Sequence, residues 1–214
     1  MKQLLGFFVI ALVLLPSPIS RTVIGQDNTE QARSANPPLR YQLPDVDGGQ
    51  HSERDWRQSK AAVFFFIATE CPISNRYAPE VNRIVADYGS KGIAFFAVQS
   101  DPDLQAEEAR KHSQQFGYQF PVLLDPEQNL AYRLRVVSTP TAVIVSPKGV
   151  ILYQGRIDNR YLDFGKYRDA GIKPDLRFAL DTVIAGKPVA EPFTKSIGCI
   201  LPPLRKEQTH RHLR

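Results

Sequence analysis

Across 214 residues the chain has only two cysteines, four histidines and one tryptophan. Two thiols, Cys71 and Cys199, are too few for a thiolate zinc site or a disulfide-stapled miniprotein. His51, His112, His210 and His212 stand without ligand spacing, so no metal and no cofactor is expected. Basic charge is also missing where it would count. Of the formal net charge of +5, Lys2 and Arg21 supply two and the segment 205–214 supplies three, so the body between is near neutral. It lacks the basic footprint that nucleic-acid binding needs.

Long apolar runs are absent too. Leu4–Leu15 falls short of the roughly 20 residues that span a bilayer. Lys2 precedes it, Pro16-Ser17-Pro18 breaks it, and Val23-Ile24-Gly25 offers a cleavage site before Gln26. Residues 1–25 therefore read as a secretory signal peptide, with an uncleaved anchor as the alternative. Cleavage leaves no stable membrane insertion and an extracytoplasmic protein, periplasmic or secreted, in which a disulfide is permitted.

What is present is enough for a core, with 43% hydrophobic and 23% charged residues. The polar segment 26–36 reads as a linker, 37–186 as one domain, and 187–214 as a proline-punctuated tail carrying Cys199. Within the domain, strands are expected over Leu39–Leu43, Ala61–Ala68, Ile93–Gln99, Phe120–Leu124, Ala142–Ser146 and Val150–Gly155. Helices are expected over Pro72–Tyr88, Asp103–Phe116, Asn129–Leu134 and Pro174–Ala185. Ala61–Ala68 is continuously apolar, as in a strand buried on both faces. The loop from Arg156 to Gly171 reads as irregular. Its start, Gly155–Tyr161, either lines an active-site rim or is a solvated loop with internal Arg–Asp pairs. The order of elements gives a mixed sheet covered on both faces.

Chemistry concentrates at Ala68–Pro79, A-T-E-C-P-I-S-N-R-Y-A-P, where a buried strand meets a helix. Free backbone N–H groups and the helix dipole favour a thiolate at such a junction, in a place open to solvent. Cys71 is the candidate nucleophile. Pro72 suits the first helical turn, and Ser74 either donates its hydroxyl to the sulfur or is satisfied by its own helix. Arg76 adds positive charge nearby, and Glu70 opposes it. Cys199 is open between three roles: resolving a Cys71 adduct, bridging Cys71 permanently, or staying free or pairing with another chain. A bridge closing a loop of that length stabilises by about 5 kcal/mol in the chain-entropy model.

Three features together resemble the thioredoxin superfamily, and within it the redoxins, peroxiredoxin-like proteins of the AhpC/TSA type. They are Cys71-Pro72 at the strand–helix junction, Pro79 inside the helix, and Thr139-Pro140 just before a strand and a glycine-turned hairpin. The resemblance covers roughly 37–186. It implies an α/β thioredoxin fold, with a mixed central β-sheet flanked by helices on both faces. It also implies a cis Pro140 beside the thiol and thiol-dependent oxidoreductase activity. The implied partners are a thiol or disulfide protein or a small peroxide, and an external thiol reductant. The sequence departs from the pattern at Ser74, which replaces the second cysteine of C-x-x-C, and at Phe65, where thioredoxins tend to place an acid. The peroxiredoxin P-x-x-x-T-x-x-C pattern meets Phe64 and Ala68 instead of proline and threonine. The competing reading is a non-catalytic binding module for a metal or protein partner, with Cys71 and Cys199 as a structural pair.

Overall fold

A computed structural model describes residues 39–204. The signal-peptide and linker readings, and the basic end of the tail, lie outside the described residues. In chain order the elements begin with a short hairpin, β1 (Gln42–Pro44) and β2 (Gln50–Ser52). Then come β3 (Ala61–Ile67), α1 (Pro72–Tyr88), β4 (Ile93–Gln99), α2 (Ala106–Phe116), β5 (Val122–Leu124) and α3 (Asn129–Arg133). The second half holds β6 (Ser138–Thr139), β7 (Thr141–Val145), β8 (Ile151–Gly155), β9 (Tyr161–Asp163), β10 (Lys166–Tyr167), α4 (Asp175–Ile184) and β11 (Cys199–Ile200).

The central sheet has the order β5-β4-β3-β7-β8. β3 runs parallel to β4 and antiparallel to β7, so the sheet is mixed. Every residue of β3 is buried, because the strand lies in the middle and both its faces are covered. Val63, Phe65 and Ile67 face a cluster with Val81 and Ile84 of α1 and Leu176 and Leu180 of α4. Phe64 and Phe66 face the opposite cluster, with Leu130 of α3 and Trp56. The Trp56 ring meets Phe64 edge-on, and its indole N–H donates to the Tyr41 hydroxyl at 3.1 Å, so its one polar atom is satisfied in the core. This is the thioredoxin fold, an α/β architecture with helices on both faces of a mixed sheet.

Three local expectations differ from the structure. α2 starts at Ala106 rather than Asp103. The Asp101 carboxylate accepts from the Asp103 N–H at 2.8 Å, and that local turn competes with the helix. The segment expected to be irregular after β8 contains the β9–β10 hairpin, tied by the Arg168 N–H to the Arg160 carbonyl at 2.9 Å. The chain beyond α4 runs back along the sheet. Gln154 N–H donates to Pro192 O, Thr194 N–H to Gln154 O, and β11 pairs antiparallel with β6. Among the described residues no helix is long and apolar enough to cross a membrane.

Candidate active site

Cys71 is the residue immediately before α1, in an extended conformation, with Pro72 at the first helical position. Pro72 lacks an N–H, which that position would leave unpaired in any case. The free N–H groups of the first turn then point back at the cysteine. The backbone N–H of Ser74 donates to Cys71 Sγ at 3.5 Å. The Ser74 hydroxyl is engaged elsewhere, accepting from the Ala68 N–H at 3.3 Å, so Ser74 gives the sulfur its backbone rather than its side chain.

The other side of the sulfur is built by residues far away in sequence. Thr139–Pro140 is a cis peptide between β6 and β7, and it brings the Thr139 carbonyl to 3.4 Å from Cys71 Sγ, which donates to it. Opposite Thr139 in the β6–β11 register sits Cys199. Its S–H donates to Cys71 Sγ at 2.8 Å, and both cysteines are free thiols. Cys71 is consequently 1% exposed, which corrects the expectation of an open thiol. The strap formed by residues 193–201 lies over it.

Glycine 198 makes the strap possible. A Cβ there would lie 1.8 Å from the Thr139 carbonyl oxygen, so any other residue would push the two strands apart. Around it, the Thr141 hydroxyl donates to Ser138 O at 2.7 Å and contacts Ser196 Oγ at 3.1 Å. Thr194 Oγ1 accepts from the Arg156 N–H at 3.0 Å. Beside the strap, a cavity of about 470 Å³ is lined by Ser138, Thr141, Gly198 and Ile200. Thr141, Thr194 and Ser196 do not stand out in the sequence; the one signal is Gly198, a glycine directly before the second cysteine.

A buried brace holds the loop before α1. His112 Nε2–H donates to Asn75 Oδ1 at 2.8 Å, and Asn75 Nδ2 donates to Thr69 O at 2.8 Å. Burial pushes the His112 pKa down to about 4, so the ring is neutral near pH 7. Its other nitrogen is left to accept from Gln99 Nε2 at 3.5 Å.

The structure thus gathers Cys71, Pro72, Ser74, Thr139, Pro140 and Cys199 at one point. Glu70 and Arg76 take no part in the hydrogen bonds at the two sulfurs. Glu70 is exposed on the turn before the helix. Arg76 lies five residues past Cys71, and at 3.6 residues per turn its side chain leaves the helix on another side. It lines a separate cavity with Tyr77 and Tyr161.

The two thiols are not equivalent. Burial, the hydrogen bond given to Cys71, and the closeness of the Cys71 charge push the Cys199 pKa up to about 11. Below that pH Cys199 keeps its proton. Peptide-mapped alkylation of Cys199 in the reduced protein is therefore expected to rise with a midpoint near pH 11. In Cys71→Ala only burial remains, and the midpoint falls toward the ordinary thiol value. An unchanged midpoint would mean that Cys71 does not govern Cys199.

Comparison with known proteins agrees with this architecture. The AhpC/TSA family model matches residues 36–154. A thiol-disulfide oxidoreductase ResA of Geobacillus thermodenitrificans is 26% identical over 153 residues, covering 70% of this chain and 86% of its own. A crystal structure of an uncharacterised conserved protein from Geobacillus kaustophilus superposes with a TM-score of 0.70 at 28% identity, covering 80% of this chain and 92% of that one. One of a hypothetical protein from Sinorhizobium meliloti gives 0.66 at 26% identity, covering 77% and 91%.

Proposed function

The chain belongs to the AhpC/TSA family, and from that premise we propose that it is a thiol-disulfide oxidoreductase using Cys71 as nucleophile and Cys199 as its resolving thiol. The observation that carries this is the 2.8 Å approach of the two sulfurs across 128 residues of sequence. A sulfur–sulfur bond of ~2.05 Å needs less than an ångström of further approach.

The cycle opens with the strap moving off Cys71. Cys71 gives its proton to water, and its thiolate attacks one sulfur of a substrate disulfide; that bond breaks, and the departing thiolate takes a proton from water. Cys71 now carries a mixed disulfide. Cys199 gives its proton to water and attacks the Cys71 sulfur, the mixed bond breaks, and the second substrate thiol leaves. Two electrons have passed from the protein's thiols to the substrate, and an external dithiol returns them. Ser74 has no part in resolution, since a hydroxyl cannot attack a disulfide usefully.

The raised Cys199 pKa gives this cycle an order. Two of its three causes come from Cys71: the donated hydrogen bond and the neighbouring charge. Both vanish once Cys71 is bonded to substrate sulfur. Burial, the largest cause, remains, so the Cys199 pKa falls only part of the way and its proton leaves more readily once there is an adduct to resolve. Peroxide chemistry, with Phe64 and Ala68 in place of the peroxiredoxin proline and threonine, lacks the groups that activate an O–O bond in that family. Lys2 and the Leu4–Leu15 run support an extracytoplasmic location, where protein disulfides are available as substrates.

Mass mapping tests the cycle. Treating the full chain with a small disulfide is expected to yield a Cys71–Cys199 linked peptide pair that reopens with a dithiol under native conditions. Two cysteines that stay alkylatable after oxidation, or a link that resists dithiol until the protein unfolds, would overturn the cycle and leave the pair structural.

A further inference from the structure

A second cavity, of about 530 Å³, opens between the first half of α1 and the β9–β10 hairpin. Arg76 and Arg83 of α1 line it, together with Arg160 and Arg168 from the hairpin region. Two of the four arginines, Arg83 and Arg160, are balanced by acids beside the cavity. Glu80 is held by Arg83 at 2.7 Å and by Arg177 at 2.8 Å. The buried Asp158 carboxylate takes the Tyr77 hydroxyl at 2.5 Å and the Arg160 N–H at 2.9 Å, with the Arg160 guanidinium at 3.8 Å. Asp169 is the remaining acid of the lining, and it is exposed at the rim.

Arg76 and Arg168 are left without a carboxylate partner among the described residues. The Nε of Arg168 is buried and makes no hydrogen bond. Buried polar groups are paired almost without exception, so an orphaned guanidinium N–H beside an open cavity asks for an acceptor. Guanidinium forks match the two oxygens of a carboxylate. The walls are aromatic: Tyr161 packs on Tyr77 at 5.5 Å and on Tyr167 at 6.3 Å between ring centroids.

The position ties this cavity to the thiols. Arg76 is five residues beyond Cys71 on the same helix, roughly 7.5 Å along its axis. An extended peptide covers about 3.3 Å per residue. A carboxylate held here therefore sits roughly two to four residues from a cysteine reacting at Cys71.

We propose that the Arg76–Arg168 cavity binds a carboxylate of the peptide whose cysteine exchanges with Cys71, which makes acidic cysteine peptides the substrate class. The link to exchange rests on the redox function proposed above; the binding does not. The shared chemistry is a carboxylate, supplied by an acidic side chain or by a chain end.

Three peptides with serine in place of the reacting cysteine separate these cases. One carries Glu three residues away and an amidated end, one carries Gln and an amidated end, and one carries Gln and a free carboxylate. Titrated into the ¹⁵N-labelled full chain, the Glu peptide or the free-end peptide is expected to shift the Arg168 Nε–H signal saturably. It should bind about tenfold more tightly than the amidated Gln peptide. The responding peptide names the source of the carboxylate. Arg168→Gln should erase that preference with the melting temperature unchanged, and Arg168→Lys should restore part of it. Equal binding of all three peptides, or shifts that map away from Arg168, would overturn the proposal. Because these probes carry no sulfur, binding without exchange in the cysteine versions sinks the redox reading alone. Exchange without charge preference sinks this one alone.

Discussion

Cys71→Ser is expected to lower disulfide exchange by a factor on the order of 10³ or more, whereas Cys199→Ser is expected to complete one half-reaction and stop. Serine at position 71 keeps the size of the side chain and the hydrogen bonds around it. The Ser74 N–H and the Thr139 carbonyl would still have a partner. What it loses is the ionisable sulfur, because a hydroxyl is not deprotonated at working pH. The Cys199 variant keeps that sulfur and loses only the group that attacks the adduct. Thiol release from a small neutral disulfide should therefore give one equivalent and then cease. Intact mass should show the substrate half still attached, and peptide mapping should put it on Cys71. Full turnover in Cys71→Ser would remove the nucleophile from this account. Sustained turnover in Cys199→Ser would show that an external thiol resolves the adduct and that the close sulfur pair is incidental.

The strand that carries the fold was legible because its signal is local and continuous. Ala61–Ile67 is apolar at every position, and Pro72–Tyr88 repeats apolar residues at helical spacing between a first-turn proline and Gly89. The site was legible on its Cys71 side, and Cys199 stood as a candidate partner, but the way the chain closes over Cys71 was not. Cysteine, proline and the strand–helix junction sit within a few residues of one another, and Thr139-Pro140 announces itself as a pair. The other half depends on β11 finding β6 from 60 residues away. Two residues are too few to leave a periodic pattern, and the proline-rich segment around them resembles any surface tail. The burial of Cys71 follows from that pairing and from nothing near Cys71 itself. The arginine cavity escaped for a similar reason. Arg76 reads as a neighbour of the thiol along the chain, yet the turn of α1 carries it toward Tyr161 and Arg168.

Gly198→Ala should make Cys71 reactive toward alkylating reagents about 100-fold faster at neutral pH while leaving the protein folded. The added Cβ would lie 1.8 Å from Thr139 O, 2.6 Å from Thr139 C and 2.9 Å from Pro140 Cδ. Two of these are backbone atoms of β6, which is continuous with the central sheet through β7, so the strap has to give. Thr194 and Ser196 anchor its start, but its end from Cys199 onward is held by few contacts: the β6–β11 pairing, the Leu201 N–H to Val137 O at 2.9 Å, and Gln128 Nε2 to Pro202 O at 2.7 Å. Backbone and amide bonds of that kind are worth about 1 kcal/mol each net. A strap end held by roughly 3 kcal/mol opens about once in a hundred, and its release exposes the thiol by the same factor. The strands of the central sheet and the helices α1 and α4 keep their mutual contacts, so the melting temperature should fall far less than after a core deletion. Formation of the Cys71–Cys199 bond should slow in the same variant, because Cys199 leaves its place against Cys71. A single glycine thus sets both how seldom the nucleophile is exposed and how promptly its adduct is resolved. Faster alkylation with undiminished bridging would separate those two roles. Unchanged alkylation would mean that substrate reaches Cys71 by a route the strap does not cover.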